Sequence, residues 1–62
     1  MDIHDNIKNL REQRGWSQEI LADKVGYKDR SSIAKIEAGL VDLSQSKVVA
    51  FAKAFGVTPA ML

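Results

Sequence analysis

Four polar side chains lie close together near the middle of the chain and are its best candidates for chemistry: Arg30, Ser31, Ser32 and Lys35. All four can donate hydrogen bonds to phosphate oxygens, and they can also reach base edges in the major groove of DNA. Taken alone, a polar set with an arginine and a lysine is more often a plain solvated helix face. The residue types by themselves therefore leave a DNA-reading face and a plain solvated face as alternatives.

The inventory of reactive side chains argues against an enzyme. The sequence has one histidine and no cysteine, and it shows no glycine-rich phosphate loop and no pair of carboxylates placed in an evident cleft. Because His4 has no second ligand near it, we predict neither a metal site nor a cofactor and interpret His4 as a surface residue. Without cysteine there is no disulfide framework either.

Size and composition indicate one small globular domain. The chain has 62 residues, of which 45% are hydrophobic and 27% charged, and a domain of this size buries only about 60% of its unfolded surface. The net charge of +1 gives only a weak attraction for a polyanion. No apolar run reaches the ~20 residues of a membrane span. The N-terminus lacks the basic and apolar regions of a signal peptide, which predicts a cytoplasmic protein.

Capping residues and glycines divide the chain into four predicted helices and the start of a fifth. No segment alternates with period two for long enough to predict a strand, so the predicted fold class is all-α. The four helices are predicted at residues 3–14, from the cap at Ser17 to Gly26, from Asp29 or Arg30 to Gly39, and from the cap at Ser44 to Gly56. Thr58 and Pro59 are typical of a helix start and open the fifth.

Apolar residues at helical spacing give each predicted helix a buried stripe. The predicted core consists of Ile3, Ile7, Leu10, Leu21, Ala22, Val25, Ile33, Ile36, Val48, Phe51, Ala52 and Phe55. Since Ile33 and Ile36 face inward, the polar residues at positions 30–35 are expected on the outward side of the third helix.

The run SQEILADKVGYKDRSSIAKIEAG, followed by AKAFGVTP, resembles the Cro/CI-type phage repressor family, also called XRE. The resemblance covers about residues 5–62, and its matching positions are Leu10, Arg11, Gly15, Ser17, Gln18, Leu21, Ala22, Val25, Gly26, Ser32, Ile33, Ile36, Glu37, Gly39, Ala52, Gly56 and Val57. It implies a lambda-repressor-like domain of four to five helices that regulates transcription, as a repressor, by binding a double-stranded DNA operator. It also implies that the third helix, about residues 30–38, enters the major groove, usually in a two-fold homodimer. Residues 1–62 then form this domain alone or the N-terminal domain of a longer repressor.

Carried over to this sequence, the resemblance assigns DNA contacts to eight residues: Gln18, Lys28, Arg30, Ser31, Ser32, Lys35, Ser44 and Lys47. Gln18 matches a position that contacts a phosphate and braces the third helix, the alternative being an exposed helix-start residue. Arg30 is the candidate for guanine recognition through two hydrogen bonds, and Lys35 for a second base or a phosphate. Ser32 has a further alternative, because a serine in a first turn can simply cap its helix.

Two matching positions are interpreted as structural. Arg11 and Glu37 correspond to an ion pair between the first and third helices, which would orient the third helix. Trp16 lies where the family places an apolar residue, so we predict packing at the edge of the core.

Three features depart from the family pattern. Six residues separate Gly26 from Ile33, one more than in the compact form of the family. Two alignments of Arg30 and Ser31 with the base-reading positions, one residue apart, are therefore open. The segment GLVDLSQS carries Asp42 and no cation, which leaves backbone amides and hydroxyls to contact phosphates there. Ile20 occupies a position that is commonly polar.

A protein-interaction module on the same fold, such as an antitoxin-like domain, is the alternative function. Its informative residues would be the apolar side chains Ile20, Leu40, Val41 and Met61. Salt dependence separates the two functions, because phosphate contacts weaken steeply with salt whereas apolar contacts do not.

Overall fold

A computed structural model of the protein describes residues 2–62 as a compact set of helices. The elements are α1 (Ile3–Gln13), α2 (Gln18–Val25), α3 (Arg30–Glu37), α4 (Gln45–Phe55) and a 3₁₀ turn (Pro59–Met61). No strand occurs within these described residues, and none of their helices is long and apolar enough to cross a membrane. The all-α fold class is confirmed. The predicted domain begins at Met1, which lies outside the described residues.

The four α-helices begin where the capping pattern predicted. In the residue before each helix, a side-chain oxygen accepts a hydrogen bond from a backbone N–H of the first turn. These capping residues are Asp2, Ser17, Asp29 and Ser44. These bonds satisfy amides that have no partner inside their own helix. The third helix therefore begins at Arg30, with Asp29 as its cap.

Glycines end the second and fourth helices. Gly26 and Gly56 have φ angles of 102° and 72°, in the left-handed region that favours glycine. The turn after Gly26 is short, and α3 makes its most extensive helix contacts with α2. α2, the turn and α3 thus form one helix-turn-helix unit, with the apolar side of α3 against the rest of the domain.

All four α-helices contribute to one hydrophobic core. Its buried members are Ile7, Leu21, Ala22, Ile33, Ile36, Phe51, Ala52 and Phe55. Every one of them was in the predicted core, although four predicted members are only partly buried: Ile3, Leu10, Val25 and Val48. Phe51 of α4 is completely buried, and α4 packs against α1 and α2.

The C-terminal segment forms a 3₁₀ turn rather than a fifth α-helix. Thr58 makes no side-chain capping bond, and the turn covers only Pro59–Met61. Asn6 Nδ2 of α1 donates a hydrogen bond to the Leu62 carbonyl oxygen at 2.9 Å, and the Leu62 side chain packs against the core. Tertiary contacts with α1 and α4 hold this segment.

His4 is not a simple surface residue, which corrects the sequence-based interpretation. Its side chain is partly buried, and Nδ1 donates a hydrogen bond to the Ile36 carbonyl oxygen at 2.8 Å. Ile36 lies in the last turn of α3, where carbonyl groups have no partner within the helix. His4 therefore links the start of α1 to the end of α3.

Candidate nucleic-acid interface

The outward side of α3 carries the polar residues singled out in the sequence. Arg30, Ser31 and Lys35 are exposed, whereas Ser32 is partly buried. Ser31 and Lys35 are one helical turn apart and share a face, and Arg30 is the first residue of the helix. The structure thus exposes two long cationic side chains and a hydroxyl on α3.

Asp29 controls the start of this helix. Its Oδ1 accepts a hydrogen bond from the Ser31 backbone N–H at 2.9 Å and another from the Ser31 hydroxyl. These bonds, the hydroxyl bond foremost, lower the pKa of the Asp29 carboxyl below its ordinary value of 3.8. Asp29 therefore provides the cap that the sequence analysis considered for Ser32, and it engages one of the predicted DNA-contacting hydroxyls.

We expect Asp29 to make an acid-sensitive contribution to stability. Its folded-state pKa is lowered, so the contribution is complete above 3.8 and is lost as the pH falls through the lower folded-state value. Asp29→Asn retains a capping oxygen but has no charge to titrate. Melting temperatures measured between pH 7 and pH 2 should show wild type above Asp29→Asn at neutral pH, with the difference vanishing in acid. A difference independent of pH would contradict this assignment.

A carboxylate at the end of α3 joins three elements. Arg11 Nε donates to Glu37 Oε2 at 2.6 Å, and Arg11 Nη2 donates to Oε1 at 3.0 Å. The two side chains are only 12% and 4% exposed. Arg11 Nη1 also donates to the Trp16 carbonyl oxygen at 2.8 Å. The hydrogen bond and charge of Glu37 raise the pKa of Arg11, against the opposing effect of burial.

Gln18 joins the same cluster from α2. Its Nε2 donates a hydrogen bond to Glu37 Oε1 at 3.1 Å, and the side chain is half-buried. The residue predicted to brace the third helix therefore contacts that helix at its last position. Its phosphate contact stays a prediction.

The remaining predicted contacts lie on the turn before α3 and at the start of α4. Lys28 is exposed in the turn. Ser44 Oγ accepts a hydrogen bond from the Lys47 backbone N–H at 3.3 Å, and Lys47 Nζ lies 4.5 Å from the centre of the Tyr27 ring. The first turn of α4 holds no acidic residue. A lysine in the first turn interacts unfavourably with the helix dipole, so a contribution to the stability of α4 does not explain Lys47 at this position.

Trp16 packs at the edge of the core, as predicted. Its ring stacks on Phe55, with 5.6 Å between ring centres and 7° between ring planes. Lys24 belongs to α2, and its Nζ lies 4.6 Å from the centre of the Trp16 ring. The indole is thus engaged within the domain by an aromatic ring and a cation.

The four apolar residues of the alternative function are exposed. They belong to α2, to the loop after α3 and to the C-terminal turn: Ile20, Leu40, Val41 and Met61. Leu40 is the most exposed, at 74%. Singly exposed apolar side chains are common on soluble proteins, and no one helix collects these four into a stripe.

Two contributors to this surface had no assigned role in the sequence analysis. Asp29 was recognised only as a helix start, and Tyr27 was not singled out. The capping signal of Asp29 could have revealed its bond to Ser31, because both residues are local in sequence. The contact between Tyr27 and Lys47 depends on how α4 packs against the turn, and no local pattern predicts it.

The fold and this surface define a helix-turn-helix domain, a class of DNA-binding transcription regulators. The helix-turn-helix family model HTH_3 matches residues 7–62, and the chain belongs to this family. The resemblance to Cro/CI-type, or XRE, regulators is thereby confirmed. A comparison with curated proteins gave no significant match.

Two solved structures resemble the chain closely. The restriction-modification controller protein C.AhdI from Aeromonas hydrophila is 31% identical with a TM-score of 0.85, over 94% of this chain and 83% of that one. The hypothetical transcription factor NHTF from Neisseria is also 31% identical with a TM-score of 0.85, over 94% of this chain and 66% of that one. Both share the fold described here.

Proposed function

We propose that this protein is a cytoplasmic, sequence-specific repressor that binds an operator in double-stranded DNA through α3. The observation that carries the proposal is the exposed cationic surface of α3 on a helix fixed at both ends. Asp29 caps its start, and Glu37 ties its end to Arg11 and Gln18. A helix held this way can present side chains to the major groove with little loss of conformational freedom on binding.

The residues of α3 divide into base-reading and positioning roles. Arg30, at the N-terminal end that approaches the base edges, makes two hydrogen bonds to a guanine. Lys35 contacts a second base or a phosphate one turn further along. Ser32 donates a hydrogen bond from its hydroxyl, whereas the Ser31 hydroxyl, which donates its proton to Asp29, accepts one from a base amino group.

The other predicted residues contact the DNA backbone on either side of α3. They lie at the start of α2, in the turn and at the start of α4: Gln18, Lys28, Ser44 and Lys47. Phosphate contacts of this kind fix the orientation of a domain without reading its sequence. Helix starts suit this role because their free amides and positive dipole end favour an anion.

The repressor role rests on the resemblance to phage repressors, and the names of the solved relatives support regulation. One is a controller protein and the other a hypothetical transcription factor. No observation on the exposed apolar residues favours the antitoxin-like alternative over DNA binding, so it serves as an outcome of the test.

The test is to select binding sites from a random duplex library and to titrate the best site at several salt concentrations. We expect one enriched sequence, with the logarithm of affinity falling linearly as the logarithm of salt concentration rises. A domain that enriches no sequence, and that captures protein partners with affinity insensitive to salt, would favour the interaction module instead.

On the selected site, Arg30→Ala should weaken specific binding by about 1–3 kcal/mol for each bound domain and relax the preference at the one base pair that each domain's Arg30 contacts. Arg30→Lys keeps the charge without the two-pronged donor and should lose the same preference. The control is Lys53→Ala, which removes one charge from the exposed last turn of α4. Equal losses on specific and random DNA would make Arg30 a phosphate contact.

A further inference from the structure

Tyr27 connects the hydrophobic core to the first turn of α4. Its ring centre lies 6.3 Å from that of Phe51, at an interplanar angle of 41°, and Phe51 is completely buried. The Tyr27 backbone N–H donates to the Ala22 carbonyl oxygen at 2.9 Å. Ring and backbone are therefore both fixed, and burial raises the pKa of the Tyr27 hydroxyl, which stays neutral at physiological pH.

A lysine of α4 lies over the Tyr27 ring. Lys47 Nζ lies 4.5 Å from the ring centre, within the range of a cation–π attraction. Among residues 2–62 the ion pair that the structure shows is Arg11–Glu37, and it does not involve Lys47. The ammonium is thus held by a neutral ring, which leaves its full positive charge for an anion.

Order in a lysine side chain matters for binding. A free lysine samples many rotamers, and immobilising such a side chain at an interface costs affinity. A ring that already restricts Lys47 reduces this cost, and it contacts the ammonium from one side while other N–H groups remain directed to solvent.

We propose that Tyr27 is a positioning residue that holds the Lys47 ammonium in place for a phosphate of the DNA backbone. The inference rests on the proposed function, since it takes Lys47 as a phosphate contact. It adds a dependence between two elements: the contact made by α4 is set by a residue of the α2–α3 turn. Tyr27 itself does not need to touch the DNA.

The test is a double-mutant cycle on the selected operator, measured well below the melting temperature of every variant. Tyr27→Leu removes the ring, and Lys47→Met removes the ammonium while keeping most of the stem. We expect Tyr27→Leu to weaken binding about twofold to tenfold in the wild-type background and not at all in the Lys47→Met background. Lys47→Met should also reduce the magnitude of the salt slope by about one for each bound domain.

NMR spectra of the DNA-free domain test the contact between Tyr27 and Lys47 separately from its effect on DNA binding. In wild type and in Tyr27→Phe, which keeps the ring, the ring current should shift the ε-methylene protons of Lys47 upfield in NMR spectra. Tyr27→Phe should also retain the coupling to Lys47, so a Phe variant that loses as much affinity as Leu would assign the effect to the hydroxyl and overturn the proposal.

The remaining outcomes are equally decisive. Equal losses from Tyr27→Leu with and without Lys47, or an unshifted Lys47 methylene, would overturn the positioning role while leaving DNA binding intact. A wild-type domain that binds no duplex would refute the proposed function itself, whatever the NMR spectra show.

Discussion

Glu37→Ala is expected to lower the free energy of unfolding by about 3 kcal/mol, the low end of the range for breaking a buried ion pair. Its carboxylate accepts hydrogen bonds from Arg11 and Gln18, and removing it leaves a guanidinium that is only 12% exposed without its partner. A chain of 62 residues has a total stability of roughly 3–9 kcal/mol. Urea unfolding followed by circular dichroism should therefore show a large loss or an unfolded variant.

Two controls separate the ion pair from charge in general. Glu12→Ala removes an exposed carboxylate that also acts on Arg11 through its charge, and it should change stability by less than about 0.5 kcal/mol. The double variant Arg11→Met with Glu37→Met should recover much of the loss, because no unpaired charge remains. A Glu37→Ala variant that keeps the wild-type unfolding curve but loses its operator preference would make Glu37 a DNA-reading residue rather than a structural one.

The fold could be predicted almost entirely because its signals are local. Asp2, Ser17 and Ser44 cap helices within three residues of themselves, and Gly26 and Gly56 end helices through their own φ angles. Such features depend on short stretches of chain, so sequence alone determines them. The C-terminal turn was harder, because packing of the last residues against α1 and the core determines its form.

Spacing and capping alone predicted only the residue types of the site, whereas the family resemblance also indicated the Arg11–Glu37 pair and the bracing of α3 by Gln18. The exposed face of α3 follows from the inward positions of Ile33 and Ile36, and Asp29 as the cap makes Arg30 the first helical residue. The bonds from His4 to Ile36 and from Gln18 to Glu37 join distant parts of the chain. No spacing rule predicts them, since they depend on how the helices pack. Which bases the α3 residues read stays a prediction.

We expect two copies of the protein to bind the two half-sites of the selected operator. Inserting about five base pairs between these half-sites should therefore reduce the affinity about a hundredfold or more. The domain measures 25 × 23 × 20 Å, whereas successive major grooves on one side of DNA are about 34 Å apart. One copy therefore reads one groove, and its net charge of +1 adds little non-specific attraction. We therefore expect that discrimination against a genome's excess of competing sequence needs a second copy.

A two-fold dimer meets this requirement through geometry. It places its two α3 helices about 34 Å apart, over an inverted repeat whose half-sites are centred about one helical turn apart. Binding of one domain raises the effective concentration of the other, which strengthens the pair by about 10²–10⁴ over one domain. Half a turn of extra DNA moves one half-site to the opposite side of the duplex, where the second domain cannot reach it, so affinity falls to that of a single half-site.

The measurement combines affinity titration with sedimentation, because each alone leaves the stoichiometry open. We expect two copies per wild-type operator and one copy on the lengthened operator. The control duplex carries the same five base pairs outside the inverted repeat, which preserves the half-site spacing and should preserve affinity. Wild-type affinity for the lengthened operator, together with a one-to-one complex on both duplexes, would rule out the dimer. Arg30→Ala helps to interpret the result, because in a dimer each substitution acts twice: its loss on the intact operator should be about double, in free energy, its loss on an isolated half-site.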